Sequence, residues 1–128
     1  MILDTSAILA VVFREPEREE FLRKIGAARI VGVGAPTLVE STVVVSSRLG
    51  EATARSLVRI LERTAIVVVS FETQHWQVAA DAWLRFGRRR HPASLNFGDC
   101  LAYATARIAG EPLLCKGDDF LKTDLVLA

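Results

Sequence analysis

Cysteine and histidine are scarce in this sequence, with two of each among 128 residues. No CxxC pair, and no cysteine with a histidine nearby, provides the ligand spacing of a zinc site. Cys100 and Cys115 lie inside apolar runs, where free cysteine packs like a small hydrophobic residue. We therefore expect two reduced cysteines and no zinc.

Long apolar runs and a charge excess of one sign are also missing. No run reaches the ~18 residues of a membrane span, and Asp4 interrupts the start too soon for a signal peptide. The formal net charge is +1, from 16 basic and 15 acidic residues, so no overall field attracts nucleic acid or a membrane. These absences predict a cytoplasmic protein without a membrane partner, in which any charged binding site is local.

Apolar residues, by contrast, are plentiful. They make up 51% of the chain, and the mean hydropathy is +0.30. A chain of 128 residues is long enough for one domain with a substantial core, so residues 1–128 are predicted to form a single domain. The apolar content exceeds what a small monomer needs, which indicates a subunit with an apolar interface.

Short apolar segments typical of buried strands alternate with helical periodicity along the chain. Ile2 and Leu3 predict a short central strand, and the β-branched run at residues 66–69 is typical of a parallel strand covered on both faces. Further strands are predicted at residues 29–34 and 113–115, with 125–127 as an edge strand. The alternation predicts an α/β fold, a three-layer α/β/α sandwich with a mostly parallel central sheet.

Two predicted helices carry unusual side chains. A helix from about residue 72 to 86 contains Trp76 and Trp83, which we interpret chiefly as core packing, because aromatics at helical spacing pack into cores more often than they stack on bases. The helix that starts near residues 35–37 is almost wholly apolar except for Glu40. A carboxylate in that position is costly without a partner or a cation.

Acidic residues occur where the predicted strands end. Asp4 follows the first strand, Glu40 begins the helix after the second, and Asp99 lies in the first turn of a late helix. Asp118 and Asp119 follow the last convincing strand. In a doubly wound sheet these places lie at one edge, outside the carboxyl ends of the strands. We therefore expect these acids to form a cluster that carries the chemistry.

Local structure offers an alternative explanation for most of these acids. Asp4 is a suitable N-cap for the first helix. Asn96 and Asp99 match a capping box, in which an acid three residues after the cap bonds back to it. Asp118 or Asp119 could simply form a turn.

A cluster of carboxylates predicts a bound cation, because like charges repel unless they are protonated or joined by a positive ion. Oxygen ligands without histidine or cysteine select Mg²⁺ or Mn²⁺ rather than zinc. Such an ion activates a water and neutralises charge on a phosphodiester, which is nuclease chemistry. Thr5, Ser6 and Asn96 are suitable to orient the acids or a water, although capping explains them equally well.

A run of positive charge lies just ahead of Asp99. Arg88, Arg89, Arg90 and His91 could bind phosphates that flank a scissile bond, and arginine suits bidentate phosphate contacts. The alternative is a solvated charge run that only keeps a loop soluble. His91 fits a phosphate contact better than a general acid.

Four motifs occur in the order typical of one protein family: Met1-Ile-Leu-Asp4-Thr-Ser-Ala, the helix with Glu40, Asn96-Phe-Gly-Asp99-Cys-Leu-Ala-Tyr-Ala and Leu113-Leu-Cys-Lys-Gly-Asp-Asp-Phe120. Together they resemble a PIN domain, specifically a VapC-type toxin of a bacterial toxin–antitoxin pair. The resemblance implies a Mg²⁺- or Mn²⁺-dependent endoribonuclease that cuts tRNA or another structured RNA, with Asp4, Glu40 and Asp99 as catalytic metal ligands. It also implies a homodimer, inhibited within a heterotetramer or larger complex by a VapB-type antitoxin whose tail enters the acidic site.

One position departs from the family pattern. Members commonly have Thr-x-Asp after the last strand, and alignment on the last strand places Gly117 where that aspartate would be. For the fourth acid we favour Asp119, with Asp118 as a water-mediated alternative, since a glycine-containing turn lets either one approach the cluster.

Two other classes of function compete with the nuclease. A PIN-like module that binds RNA or protein without cutting would keep the sheet and the arginine loop and lack one acid. A phosphotransferase with Asp4 as nucleophile is less favoured, because such sites usually have a second acid two residues on, where this chain has Ser6.

Overall fold

The computed structural model describes residues 1–128 and contains four β-strands, six α-helices and one short 3₁₀ helix. No helix has the length and apolar character needed to cross a membrane. In chain order the elements are β1 (Ile2–Leu3), α1 (Thr5–Val12), α2 (Arg18–Ala27), β2 (Gly32–Gly34), α3 (Ala35–Leu49), α4 (Glu51–Glu62), β3 (Val67–Val69), α5 (Thr73–Phe86), α6 (Phe97–Ala109), β4 (Leu113–Leu114) and the 3₁₀ helix (Phe120–Lys122).

The sheet is wholly parallel, with strand order β3-β2-β1-β4. Ile2 pairs with Gly32 on one side and with Leu113 on the other. The prediction of a short central strand at the start of the chain is therefore confirmed. Because β1 lies between β2 and β4, the residue that follows it, Asp4, lies in the middle of the carboxyl edge of the sheet.

Successive residues of the central strands point to opposite faces and build two separate cores. Ile2 and Leu113 join a core with the buried faces of α5 and α6, whereas Leu3 and Leu114 join a core with residues of α1 and α2. Alternation is the ordinary consequence of the strand period of two residues. Both faces are thus covered by helices, which confirms the three-layer α/β/α sandwich.

The outer strand β3 differs from the prediction. Val67 and Val68 are 51% and 56% exposed, so the expectation of coverage on both faces is wrong. The strand order places β3 at the end of the sheet, where no further strand pairs with it. Residues 125–127 contribute only an isolated bridge between Leu127 and Leu113. β-branched residues had indicated a strand correctly, but not its position in the sheet.

The two tryptophans of α5 lie outside the core. Ala79, Ala82 and Phe86 form the buried face of this helix, and they leave Trp76 57% exposed and Trp83 38% exposed. The interpretation of both tryptophans as core packing is therefore wrong. The cysteines agree with expectation, because Cys100 is buried, Cys115 is half-buried and both are unpaired.

Candidate active site

Asp4 is buried at the junction of β1 and α1. Its backbone is extended, and its Oδ2 accepts hydrogen bonds from the Ser6 amide at 2.9 Å and the Ser6 hydroxyl at 2.5 Å. Burial raises the pKa of the Asp4 carboxyl, and the hydrogen bonds from Ser6 partly offset this effect. Asp4 is therefore the N-cap of α1, as the local interpretation expected, and its Oδ1 receives none of these bonds.

Glu40 lies in the second turn of α3, and the hydroxyl of Thr5 donates to its Oε2 at 2.7 Å. Its carboxylate rests against the start of α6. A Cβ atom added to Gly98 would lie 2.5 Å from both Glu40 oxygens, so only glycine leaves room for the carboxylate there. Sequence reasoning did not select Gly98, although a glycine inside the first turn of a helix is a recognisable sign of close approach.

Asp99 caps α6 and also belongs to the acidic cluster. The Asp99 amide donates to Asn96 Oδ1 at 3.0 Å, and the Asn96 amide donates to Asp99 Oδ2 at 2.7 Å, which completes the predicted capping box. Burial raises the pKa of Asp99 to about 6. The hydrogen bond from the Asn96 backbone opposes this rise, and the negative charges of Asp4, Asp119 and Glu40 add to it. The Asp99 carboxylate therefore belongs to the capping box of α6 and also interacts electrostatically with the other three acids.

The two acids after β4 differ in their relation to the cluster. The charge of Asp119 contributes to the raised pKa of Asp99, and that of Asp118 does not. Asp119, and not Asp118, also contributes to the raised pKa of Cys115. That pKa is raised to about 12, first by burial and then by the charges of Asp4, Asp99 and Asp119. The structure therefore favours Asp119 over Asp118 as the fourth acid. The turn begins at Gly117, whose φ of 90° is natural only for glycine.

The cluster offers oxygen ligands alone, the donor set of a hard cation. No three histidine, cysteine, aspartate or glutamate side chains converge on one ion-sized position. Mg²⁺ commonly retains several waters and takes only one or two carboxylates directly, so the other acids would hold the ion through its waters. A cation would also offset the burial that raises the pKa of Asp4, and the burial and repulsion that raise the pKa of Asp99. The residues therefore fit Mg²⁺ or Mn²⁺.

The arginine loop lies next to the cluster along the chain, but its charges stay outside it. Arg88, Arg89 and Arg90 are exposed, and no arginine contributes to the pKa shift of Asp4 or Asp99. The base of the loop is tied to the start of α6, since the Arg88 amide donates to Leu95 O at 3.1 Å. The three guanidinium groups are thus free to contact a ligand.

His91 has a structural role in this loop. Its Nδ1 accepts from the Ala93 amide at 3.1 Å, and its ring stands edge-on to Phe86 with the ring centres 5.2 Å apart. The ring is only half-buried, so one side remains accessible.

A parallel sheet between helix layers, with four acids at its carboxyl edge, defines a class of nuclease-like α/β domains. The family model of the PIN domain matches residues 1–125. The chain belongs to the PIN domain family.

Within that family it groups with proteins named VapC. It is 38% identical over 125 residues to VapC ribonuclease Mb0640 of Mycobacterium bovis, covering 98% of this chain and 95% of the relative. It is 35% identical over 125 residues to Ribonuclease VapC of Mycolicibacterium smegmatis, with 98% and 97% of the two chains covered.

Solved structures share the fold at low sequence identity. Mycobacterium tuberculosis VapC20, described as a sarcin-ricin loop cleaving toxin, superposes with a TM-score of 0.82 at 18% identity, over 99% of this chain and 97% of that one. VapBC2 of Rickettsia felis, bound to a fragment of its promoter DNA, gives a TM-score of 0.77 at 14% identity, over 99% and 96%. These likenesses confirm the PIN-like architecture.

Proposed function

We propose that this chain is an endoribonuclease of the VapC type, the toxin of a toxin–antitoxin pair, and that it requires Mg²⁺ or Mn²⁺. Family membership and relatives named VapC ribonuclease support the activity. The observation that carries the chemistry is the placement of the acids: Asp4 is buried at the end of β1, and the Glu40 carboxylate lies against Gly98, next to Asp99. Acids gathered at one sheet edge suit a metal-assisted hydrolysis.

In this proposal Asp4, Glu40 and Asp99 hold the metal ion, and Asp119 completes the acidic site. The bound ion would supply an activated water and neutralise charge that develops on the phosphodiester. Ser6 orients Asp4 through Oδ2, and Thr5 orients Glu40 through Oε2. The backbone amide of Asn96 donates to Asp99 Oδ2 and so leaves Asp99 Oδ1 available to the site.

Arg88, Arg89 and Arg90 bind phosphates of the RNA in this proposal, with the exposed side of His91 as a further contact. The loop directly precedes the helix that carries Asp99, so bound phosphates would flank the cleaved bond. Backbone contacts of this kind suit tRNA or another structured RNA, and an RNA substrate places the reaction in the cytoplasm.

The partners proposed are a second copy of the chain and a VapB-type antitoxin, in a heterotetramer or larger assembly. VapBC2 and a toxin–antitoxin complex from Klebsiella pneumoniae are among the structures that share this fold. Exposed apolar side chains support extensive association of this subunit. They include Trp76, Trp83, Leu84 and Phe97.

Cleavage of a total small-RNA pool tests the activity. Wild type and Asp99→Asn would be compared with Mg²⁺, with Mn²⁺ and with chelator. We expect discrete cuts that need metal and are absent in the variant. The positions of these cuts identify the RNA substrate. Cuts that persist in chelator, or no cuts together with no Mn²⁺-induced rise in melting temperature, would favour a binding module instead.

A further inference from the structure

Lys116 connects the turn after β4 to the central aspartate. The Lys116 amide donates to the Ser6 hydroxyl oxygen at 2.8 Å, and that hydroxyl donates to Asp4 Oδ2 at 2.5 Å. Two residues before Lys116, β4 itself is held to Asp4, because the Asp4 amide donates to Leu114 O at 2.9 Å. The backbone of Lys116 is thus two hydrogen bonds away from a candidate metal ligand.

The side chain of Lys116 points away from the cluster and forms a clamp with the connection between α1 and α2. Its Nζ lies 2.7 Å from Glu15 Oε2 and 3.0 Å from Glu17 Oε2. All three side chains are partly exposed. Two carboxylates on one ammonium restrict a side chain that otherwise moves freely, so the Lys116 clamp, formed by Lys116, Glu15 and Glu17, fixes the start of the turn.

Apart from this clamp, the turn is held at its far end, where the carbonyls of Asp118 and Asp119 accept hydrogen bonds from the Leu121 and Lys122 amides at 3.2 and 3.4 Å. Gly117 follows at once with φ of 90°, and the exposed Asp118 and Asp119 come next. The following fixed point is Phe120, which is buried in the core beneath α6. Asp119, the acid whose charge reaches Asp99, therefore lies on a short segment held at Lys116 and at Phe120.

We propose that Lys116 is a positioning residue of the acidic site: through Glu15 and Glu17 it holds the turn that carries Asp119 and, through Ser6, the orientation of Asp4. The inference rests on the proposed function, since it concerns the same metal site. Partly exposed ion pairs contribute little to folding stability. Loss of the clamp is therefore expected to change metal binding without unfolding the protein.

Mn²⁺ binding to the purified protein, measured by calorimetry in the absence of RNA, tests the proposal. Lys116→Met removes the ammonium, and Glu15→Gln with Glu17→Gln removes its partners. Each is expected to weaken Mn²⁺ binding about tenfold, the lower range for loss of an outer partner of a metal ligand. Combining all three changes is expected to add no further loss, because each set disrupts the same clamp.

Two variants serve as controls. Lys116→Arg keeps a cation that reaches both carboxylates and is expected to restore most of the affinity. Lys122→Met removes another lysine close in sequence, one whose Nζ contacts only Pro92 O at 3.2 Å, and is expected to bind Mn²⁺ like wild type.

With RNA, Lys116→Met is expected to lower kcat and leave KM unchanged, while the melting temperature of the metal-free protein stays constant.

Wild-type Mn²⁺ affinity in Lys116→Met would overturn the proposal, as would a raised KM with unchanged Mn²⁺ affinity, which marks a contact to RNA. An equal loss of Mn²⁺ affinity in Lys122→Met would mean that the effect comes from the overall charge of the protein, and it would also overturn the proposal. A wild-type protein that neither binds Mn²⁺ nor cuts RNA would remove the proposed function and this inference together. Wild-type activity with an unaffected Lys116→Met would remove the inference alone.

Discussion

The carboxyl edge of the sheet and the exposed apolar surface of α5, here called the outer side, both carry side chains in costly surroundings. At the carboxyl edge, charged groups are withdrawn from water, and each of Asp4, Glu40 and Asp99 accepts a hydrogen bond from the protein. On the outer side, Trp76 is 57% exposed and Trp83 is 38% exposed to water.

The two regions differ in what offsets the unfavourable free energy of their side chains. Buried carboxylates need donors and a cation within the subunit, so the carboxyl edge is organised internally. Exposed apolar surface becomes favourable when another molecule covers it. The carboxyl edge is therefore a site for chemistry, and the outer side is a surface for association. The predictions below separate these roles.

The largest expected effect is loss of cleavage in Asp4→Asn. The change removes a charge from the metal site and several kcal/mol of transition-state stabilisation, which corresponds to about a 1000-fold lower kcat. The fold should persist, because one like charge is removed and the amide oxygen still caps α1. Cleavage assays with circular dichroism check this, and Asp118→Asn is the matched control with near-normal activity. An unfolded Asp4→Asn would mean that the residue is only a cap.

On the outer side, Trp76→Glu together with Trp83→Glu is expected to dissociate the proposed homodimer. Buried tryptophans often contribute about 2 kcal/mol or more each to an interface, so dissociation should rise at least 100-fold. Light scattering after gel filtration measures the mass. Val126→Glu, which places the same charge on an exposed apolar residue elsewhere, is the control. A doubly substituted protein that stays dimeric would assign the dimer contact to another surface.

A single methyl group at the carboxyl edge should also impair cleavage. In Gly98→Ala the new Cβ would lie 2.5 Å from the Glu40 oxygens, so the carboxylate must move. A misplaced catalytic group costs roughly 10- to 100-fold in activity. Gly26→Ala, in α2 with open space around it, is the control and should cut RNA normally. Normal cleavage by Gly98→Ala would remove Glu40 from the essential set.

The arginine loop should contribute to RNA affinity and not to the metal site. Replacing Arg88, Arg89 and Arg90 with glutamine is expected to weaken RNA binding about tenfold at moderate salt and to reduce the salt slope by about 2. Mn²⁺ binding should be unchanged, because no arginine contributes to the pKa shift of Asp4 or Asp99. Binding at several salt concentrations measures the slope. An unchanged slope would leave the loop with a solubilising role only.

The smallest effect concerns the pH dependence of stability. The pKa of Asp99 is raised from 3.8 to about 6, so between these values the folded state binds more protons than the unfolded state. Stability of the metal-free protein should therefore rise as pH falls from 7 to 5, by about 1 kcal/mol after allowance for solvent screening. Urea unfolding in chelator measures this gain, which Asp99→Asn should reduce, leaving the smaller part due to the raised pKa of Asp4. An equal gain in Asp99→Asn would assign it to another group.

Much of the carboxyl edge could be predicted because its determinants are local or topological. Capping by Asp4 and by Asn96 with Asp99 depends on residues two or three positions apart. The meeting of Asp4, Glu40 and Asp99 follows from the rule that parallel strands end at one edge. The alternation of strands and helices was thus sufficient for the fold class and for the placement of these acids at one edge.

Only the tertiary structure decided which strand is outermost, and therefore that Val67 and Val68 are exposed. It also decided that Trp76 faces outward, since hydrophobic periodicity specifies a helix face and not what covers that face.

Contacts between distant segments were equally beyond the sequence. Gly98 approaches Glu40 across nearly half of the chain and Lys116 approaches Glu15 across most of it, and no local pattern encodes such pairs. The sequence by itself determined the local caps, the alternation of elements and the edge at which the acids meet. Packing decided the neighbours of each face, because burial and long-range charge pairing exist only once the chain has folded.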